Sequence, residues 1–270
     1  MLQSGDKLAM GQRRFGRVNW LGLFTLTERE VKRFASVWSQ TVLAPLITAG
    51  LFLLIFNLAI GPQRGQVMGI SFSDFLAPGI LMMTVMQNAF ANTASSLVIS
   101  KVQGNIVDSL MPPLSPLELT IGYTMGGVIR GYAVALAVFL VAFPVMGVGV
   151  VHPLWAILFV SLGAAMLSLV GLLAGIVSDR FDQMNAITNF VVTPLSFLSG
   201  TFYSVDILPP VLRTITQFNP VFYLIDGFRY GITGVSDASP VTGALFCGGL
   251  CLGLGVWGWR WFSTGYRLKD

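Results

Sequence analysis

Apolar residues run along this chain in blocks of about twenty to thirty, separated by short polar breaks. Each block is long enough to cross a bilayer as a helix. Six are read, at about 40–60, 75–99, 119–147, 154–177, 184–203 and 241–262. Ahead of them 1–18 is polar and basic, and 19–38 alternates as an amphipathic helix. Trp20, Leu21, Phe24, Val31, Phe34 and Trp38 form its apolar side; Glu28, Glu30, Lys32 and Arg33 form its wet side. Thr27, with Glu30 three residues on, fits a capping box. A basic amphipathic helix before a span is expected to lie in the membrane surface; the alternative is a cytoplasmic extension of the first span.

Between the fifth and sixth blocks the pattern changes. The apolar run with Thr193, Pro194, Ser199 and Gly200 breaks at 203–206, and Pro209-Pro210 opens a short amphipathic piece. Asn219-Pro220 then opens a second piece, carrying Tyr223, Asp226 and Arg229. Proline at a first helical position and Asn just before it are helix-start signals. The expectation is a membrane helix ending in a re-entrant hairpin of half-helices.

Composition makes the membrane reading firm. Of 270 residues 54% are hydrophobic and 10% charged, where soluble domains carry about 25% charged residues. The net charge of +4 would suggest nucleic acid in a soluble protein. Here topology explains it: of 16 Lys and Arg, all but Arg64, Arg213, Arg229 and the mid-span Arg130 fall on one side of a six-span layout. That bias puts both termini in the cytoplasm and the 204–240 hairpin outside. No apolar run with a small-residue cleavage site precedes Trp20, so the first span is expected to act as an uncleaved anchor. Three parts follow: a cytoplasmic tail (1–18), one transmembrane domain (19–265) and a cytoplasmic end (266–270).

Candidate chemistry is sparse. Arg130 falls inside a predicted span, where a charge costs from about 2.5 kcal/mol upward, so it faces protein or water. It is either a groove or gate residue or one paired to backbone carbonyls and polar neighbours. Asn88, Asn92 and Ser95 share one helix face, as path-lining groups or as interhelical hydrogen-bonding groups. Met82, Met83, Met86 and Phe90 could line an adaptable apolar path or pack. Asp226 and Arg229 stand three apart and read as a local, structural ion pair.

An enzyme is not expected. Ser199-Gly200 faintly resembles the nucleophile of intramembrane serine proteases, but the sole histidine, His152, sits in a predicted outer turn. Cys247 and Cys251 lie one turn apart in an apolar run with no further ligand type nearby, which reads as packing, and no metal is expected. No G-x-x-x-x-G-K-[ST] phosphate loop occurs. Transport driven by ATP would therefore need an ATPase on another polypeptide.

The whole pattern resembles the type-2 permease family of ATP-binding-cassette transporters. The likeness rests on the amphipathic helix at 19–38, six spans, the loop SKVQGNIVDSLMPPLSPLEL and the hairpin SFLSGTFYSVDILPP…FNPVFYLIDGFRYG. Its specific part is the Asn-Pro-x-x-Tyr-x-x-Asp-x-x-Arg run, Asn219 to Arg229. The resemblance implies a homodimer in a bacterial inner membrane, joined to two copies of a separate ATPase. It implies that ATP and magnesium bind the ATPase and that this chain binds no cofactor. A short cytoplasmic helix after the second span would dock on the ATPase, which falls here on Lys101, Gln103, Asn105, Asp108 and Ser109. Asp179 and Arg180 would make a second contact. Spans two and five would form the path at the dimer axis, implicating Met86, Asn88, Asn92, Thr193 and Phe197, with Arg130. An amphiphilic or apolar small molecule is the expected substrate, and lipid-linked glycan or polysaccharide export is the alternative. From other classes, a channel or ion-coupled carrier without ATP remains open. Against the carrier, no internal repeat is evident by eye, and the spans lack a buried acid apart from borderline Asp74 and Glu118.

Overall fold

The structure, a computed structural model, describes residues 18–59, 65–107 and 111–268. It is all-α apart from a two-residue antiparallel hairpin, β1 (Gln66–Val67) with β2 (Ile70–Ser71). The helices are α1 (Trp20–Ala35), α2 (Ala44–Ala59), α3 (Phe72–Val102), α4 (Pro116–Met146) and α5 (Pro153–Val177). They continue with α6 (Phe181–Ile187), α7 (Thr193–Phe197), α8 (Pro210–Phe218), α9 (Pro220–Thr233) and α10 (Pro240–Thr264). One π-helical stretch, Ser39–Leu43, runs into α2, and another, Thr188–Val192, joins α6 to α7.

Four helical segments among the described residues are long and apolar enough to cross a membrane: Ser39–Phe56, Pro116–Val141, Pro153–Val177 and Pro240–Thr264. The second and fifth predicted spans are not among them, for different reasons. At 31 residues α3 is long enough, but Thr84, Gln87, Asn88, Asn92 and Thr93 dilute its apolar character. The fifth block is helical only from 181 to 197, shorter than the predicted 184–203, because Leu198 to Tyr203 turn away.

The centre of the bundle is α3, which packs against α2, α4, α5 and α9. Most of its length is buried, including Phe75, Ile80, Val85, Met86 and Phe90. Small residues allow the helices to approach. A Cβ on Gly171 of α5 would stand 2.5 Å from the Phe90 carbonyl oxygen of α3, so only glycine fits there.

The leading helix departs from its predicted form. Asn19, not Thr27, is the N-cap of α1, its side chain accepting from the Gly22 N–H (2.9 Å). Thr27 instead donates to the Leu23 carbonyl within the helix. A capping box does exist, at Ser115 and Glu118 on α4; Glu118 also accepts from the Asn19 N–H (2.6 Å), tying the starts of α1 and α4 together. From there α1 runs alongside α4: Leu26 packs where Gly122 leaves room, and Glu30 where Gly126 does. The wet-face assignment of Glu30 is therefore wrong, since α4 and α3 cover it completely. Trp20, Leu21 and Phe24 stay exposed on the opposite side.

Candidate translocation and coupling sites

Around Glu30 the structure assembles a buried polar cluster that no local pattern announces. Its carboxylate accepts from Ser96 Oγ (2.8 Å), Arg29 (3.2 Å) and Arg33 (3.0 Å). The Arg33 guanidinium also donates to the Asn92 carbonyl (2.8 Å), to Asn92 Oδ1 (3.0 Å) and to Ser95 Oγ (3.3 Å). Arg29 reaches the Tyr123 hydroxyl at 3.1 Å. A buried carboxylate held by two arginines and a hydroxyl is compensated in charge and in hydrogen bonds. One helical turn along α3, Asn88 Oδ1 accepts from Arg130 Nη2 (2.8 Å) while its amide donates to the Thr84 carbonyl. Arg130 thus lies level with the junction of α1 and α2, beside the last turn of α1.

Of the predicted path residues, the structure brings Asn88, Asn92 and Arg130 together, with Arg33 as the member that sequence reasoning missed. Met86 of α3 is fully buried against Gly163 of α5. Thr193 and Phe197 lie elsewhere, on α7 beside the hairpin: the Phe197 ring stacks on Phe202 (5.4 Å), which stacks on Phe56 of α2 (5.2 Å). No hydrogen bond or ring contact joins them to Arg130 among the described residues.

At the far end of α3 the predicted coupling residues meet a second loop. The Lys101 ammonium donates to the carbonyls of Ile176 and Ser178 (3.3 Å) and pairs with Asp179 (3.4 Å). It caps the C-terminus of α5, where cations are favoured. Arg267 completes the cap by donating to the Val177 carbonyl (2.7 Å). Gly104, at φ +71°, turns the chain out of α3. Asn105 donates to Gln103 Oε1 (3.2 Å), while Arg180 opens α6 as its exposed N-cap. Asp108 and Ser109 lie outside the described residues. A polar cavity of about 360 Å³ between α1 and this end of α3 is lined by Arg29, Glu30, Arg33, Ser96, Gln103 and Asn105. It connects the Glu30 cluster to the loop.

The hairpin is held by groups the sequence marked. Asn219 caps α9, accepting from the Val221 N–H (3.0 Å) and donating to the Leu195 carbonyl (3.1 Å) and Ser199 Oγ (2.8 Å). Pro220 is the first residue of α9, and its carbonyl accepts from the Cys247 thiol. Tyr223 packs edge-on against Phe222 (5.0 Å) and Phe246 (5.3 Å). Arg229 is wholly buried: it pairs with Asp226 (3.3 Å), donates to the Gly200 (2.6 Å) and Phe75 (3.4 Å) carbonyls, and lies 3.9 Å over the Phe75 ring. Asp226 accepts from the N–H groups of Asp237 (2.9 Å) and Ala238 (2.8 Å). Asp237 in turn accepts from Ser204 Oγ at 2.6 Å. Two carboxylates and one arginine thereby pin α9 to the turn after α7 and to α3.

The structure does not bring Ser199 and His152 together. The Ser199 hydroxyl donates to the Leu195 carbonyl and accepts from Asn219, while His152 stacks on Tyr230 (4.9 Å) at the start of α5. Among the described residues no three metal-ligating side chains converge. The fold and its polar clusters therefore define a multi-pass helical membrane protein in which buried charges join helices.

Comparison with known proteins narrows that class. Residues 22–233 match the model of the ABC-2 type transporter family, and the chain belongs to that family. It is 38% identical to the inner membrane transport permease YadH of Escherichia coli (strain K12) over 223 residues, covering 83% of this chain and 87% of the relative. It is 26% identical to nodulation protein J of Rhizobium leguminosarum bv. viciae over 256 residues (89% and 88%). To the putative transport permease ycf38 of Cyanophora paradoxa it is 25% identical over 216 residues (77% and 73%). It is thus a type-2 transport permease, multi-pass in an inner membrane, and its family implies an ABC ATPase as partner.

Proposed function

We propose that this chain is the membrane half of an ATP-driven exporter, working as a homodimer with two copies of a separate ATPase. It moves an amphiphilic or apolar small molecule out of the cytoplasm or the inner leaflet by alternating access. Magnesium and ATP bind the ATPase. Six segments span, with both termini cytoplasmic: the four apolar segments, α3, and the 181–197 segment. The polar residues of α3 are compatible with spanning because protein, not lipid, surrounds them. Residues of 181–197 such as Phe190, 81% exposed, face lipid or a second copy. In this layout α1 sits at the inner surface and the pinned α8–α9 hairpin roofs the outer end.

The observation that carries this reading is the junction of Lys101 with the end of α5 and with Asp179. Through it the last turn of α3 is joined to the end of α5 and the start of the loop after it, at one end of the bundle. A partner pressing on that end acts on α3 and α5 together, and rigid helices carry the displacement to the polar layer around Asn88, Asn92 and Arg130. ATP-dependent closure of the ATPases is the source of the differential free energy such a shift requires.

Purification of the tagged protein from its native membrane in mild detergent tests the partnership. Recovery of a small ATPase with the wild type, and its loss with Asp108→Lys, supports the reading. A well-folded protein that recovers no ATPase and moves solute in liposomes without ATP contradicts it.

A further inference from the structure

Arg130 is a largely buried cation for which no carboxylate partner is found among the described residues. Glu30 has Arg29 and Arg33, Arg229 has Asp226, and Lys101 has Asp179 together with two carbonyls. Arg130 has Nη2 on the neutral amide of Asn88, and its Nε is buried without a partner. One turn away, the Asn92 amide nitrogen is likewise buried and unpartnered. The groups left over on this face of α3 and α4 are thus donors, and their natural complement is an acceptor carrying negative charge.

Within the long described helices the carboxylates are Asp74 in the first turn of α3 and Glu118 in the first turn of α4, each at a helix start away from Arg130, and the two on α1 already pair with Lys32 and with Arg29 and Arg33. Arg130 lies near the middle of the apolar segment Pro116–Val141, so an anion that reaches it there is accompanied by an apolar tail that the surrounding hydrocarbon accepts.

We propose that Arg130, positioned by Asn88, forms with Arg33 a site for the anionic head of a single-headed amphiphile, of which a phosphate monoester is the simplest form. The proposal builds on the transport reading by naming the charge of the substrate head. Neutral or cationic amphiphiles of the same chain length lack the group that completes the Arg130 layer.

Binding to the purified permease in nanodiscs of neutral phosphatidylcholine tests this without any ATPase, so its failure is separable from failure of the transport reading. The probes are fluorescent dodecyl phosphate and the matching dodecanol. A charge-assisted hydrogen bond is expected to favour the phosphate by roughly tenfold or more. Arg130→Gln removes that preference, and Arg130→Lys retains part of it. Asn88→Asp places a carboxylate at the atom that now accepts from Arg130, so it also removes the preference while keeping the arginine. Protection of the buried Cys247 thiol reports that each variant is folded. Competition assigns the source: displacement by inorganic phosphate identifies a free anion, and displacement by phosphatidylglycerol identifies a bulk lipid head. Equal binding of dodecyl phosphate and dodecanol overturns the proposal, as does an undiminished preference in folded Arg130→Gln.

Discussion

Replacing Arg229 with leucine probes the hairpin where it is most dependent on one side chain. The guanidinium is fully buried and satisfies the Gly200 and Phe75 carbonyls as well as Asp226. Leucine occupies part of the volume but leaves Asp226 a buried carboxylate with only the Asp237 and Ala238 N–H groups. Removing one partner of a buried pair costs about 3–5 kcal/mol, because the remaining charge loses its compensation. At 2–4 °C per kcal/mol for a chain of this size, that corresponds to a fall of roughly 6–20 °C in the melting midpoint. The native cysteines supply the assay: Cys247 is buried against the Pro220 carbonyl, so a thiol-reactive dye in detergent reports the opening of the hairpin on heating. A midpoint within 2 °C of wild type would refute the reasoning. Asp226→Leu combined with Arg229→Leu should be less damaging than the sum of the two single changes, since no buried charge is stranded.

Further outcomes follow from the other clusters. Glu30→Ala strands Arg33 beside Arg130 and should cost about 2–4 kcal/mol, less than a fully enclosed pair because Arg29 reaches solvent; limited proteolysis within α1 should accelerate, and unchanged protection would contradict the cluster. Gly171→Ala pushes a methyl against the Phe90 carbonyl and should lower stability by about 1–3 kcal/mol, read by the same thermal assay. Lys101→Met removes the cap on α5 without removing the loop, so an ATPase should still co-purify while substrate moved per ATP falls severalfold; full coupling in this variant would separate the junction from transmission. Phe190→Cys should cross-link two copies in the membrane, and labelling by a lipid-soluble thiol reagent without cross-links would assign that face to lipid instead.

What was legible in the sequence was what local chemistry determines. The half-helices at Pro210 and Pro220 start where proline and Asn219 said, because a missing N–H and a capping side chain act within a few residues. The apolar runs marked four spanning helices for the same reason. Glu30 was misplaced because its neighbours are distant: Ser96 lies 66 residues on, and an i, i+3 pattern on α1 cannot see the groove that Gly122 and Gly126 open in α4. Thr27 with Glu30 fits a capping box that does not form; the one that does, Ser115 with Glu118, went unread, although the proline at 116, a first-turn residue, marks it. Lys101 drew attention as a surface contact, yet its ammonium turns inward to carbonyls of another helix. Arg33 was read as a solvated face because a basic amphipathic helix ordinarily is one. Only the approach of α3 makes it a partner of Asn92.

The most direct test is flux through reconstituted complex. Permease and its co-purified ATPase in proteoliposomes should move an alkyl phosphate only with ATP and magnesium, at a rate that falls to background when the ATPase is inactivated. Movement that is equally fast without ATP, or that needs no second polypeptide, would contradict an ATP-driven permease and point instead to a channel or carrier.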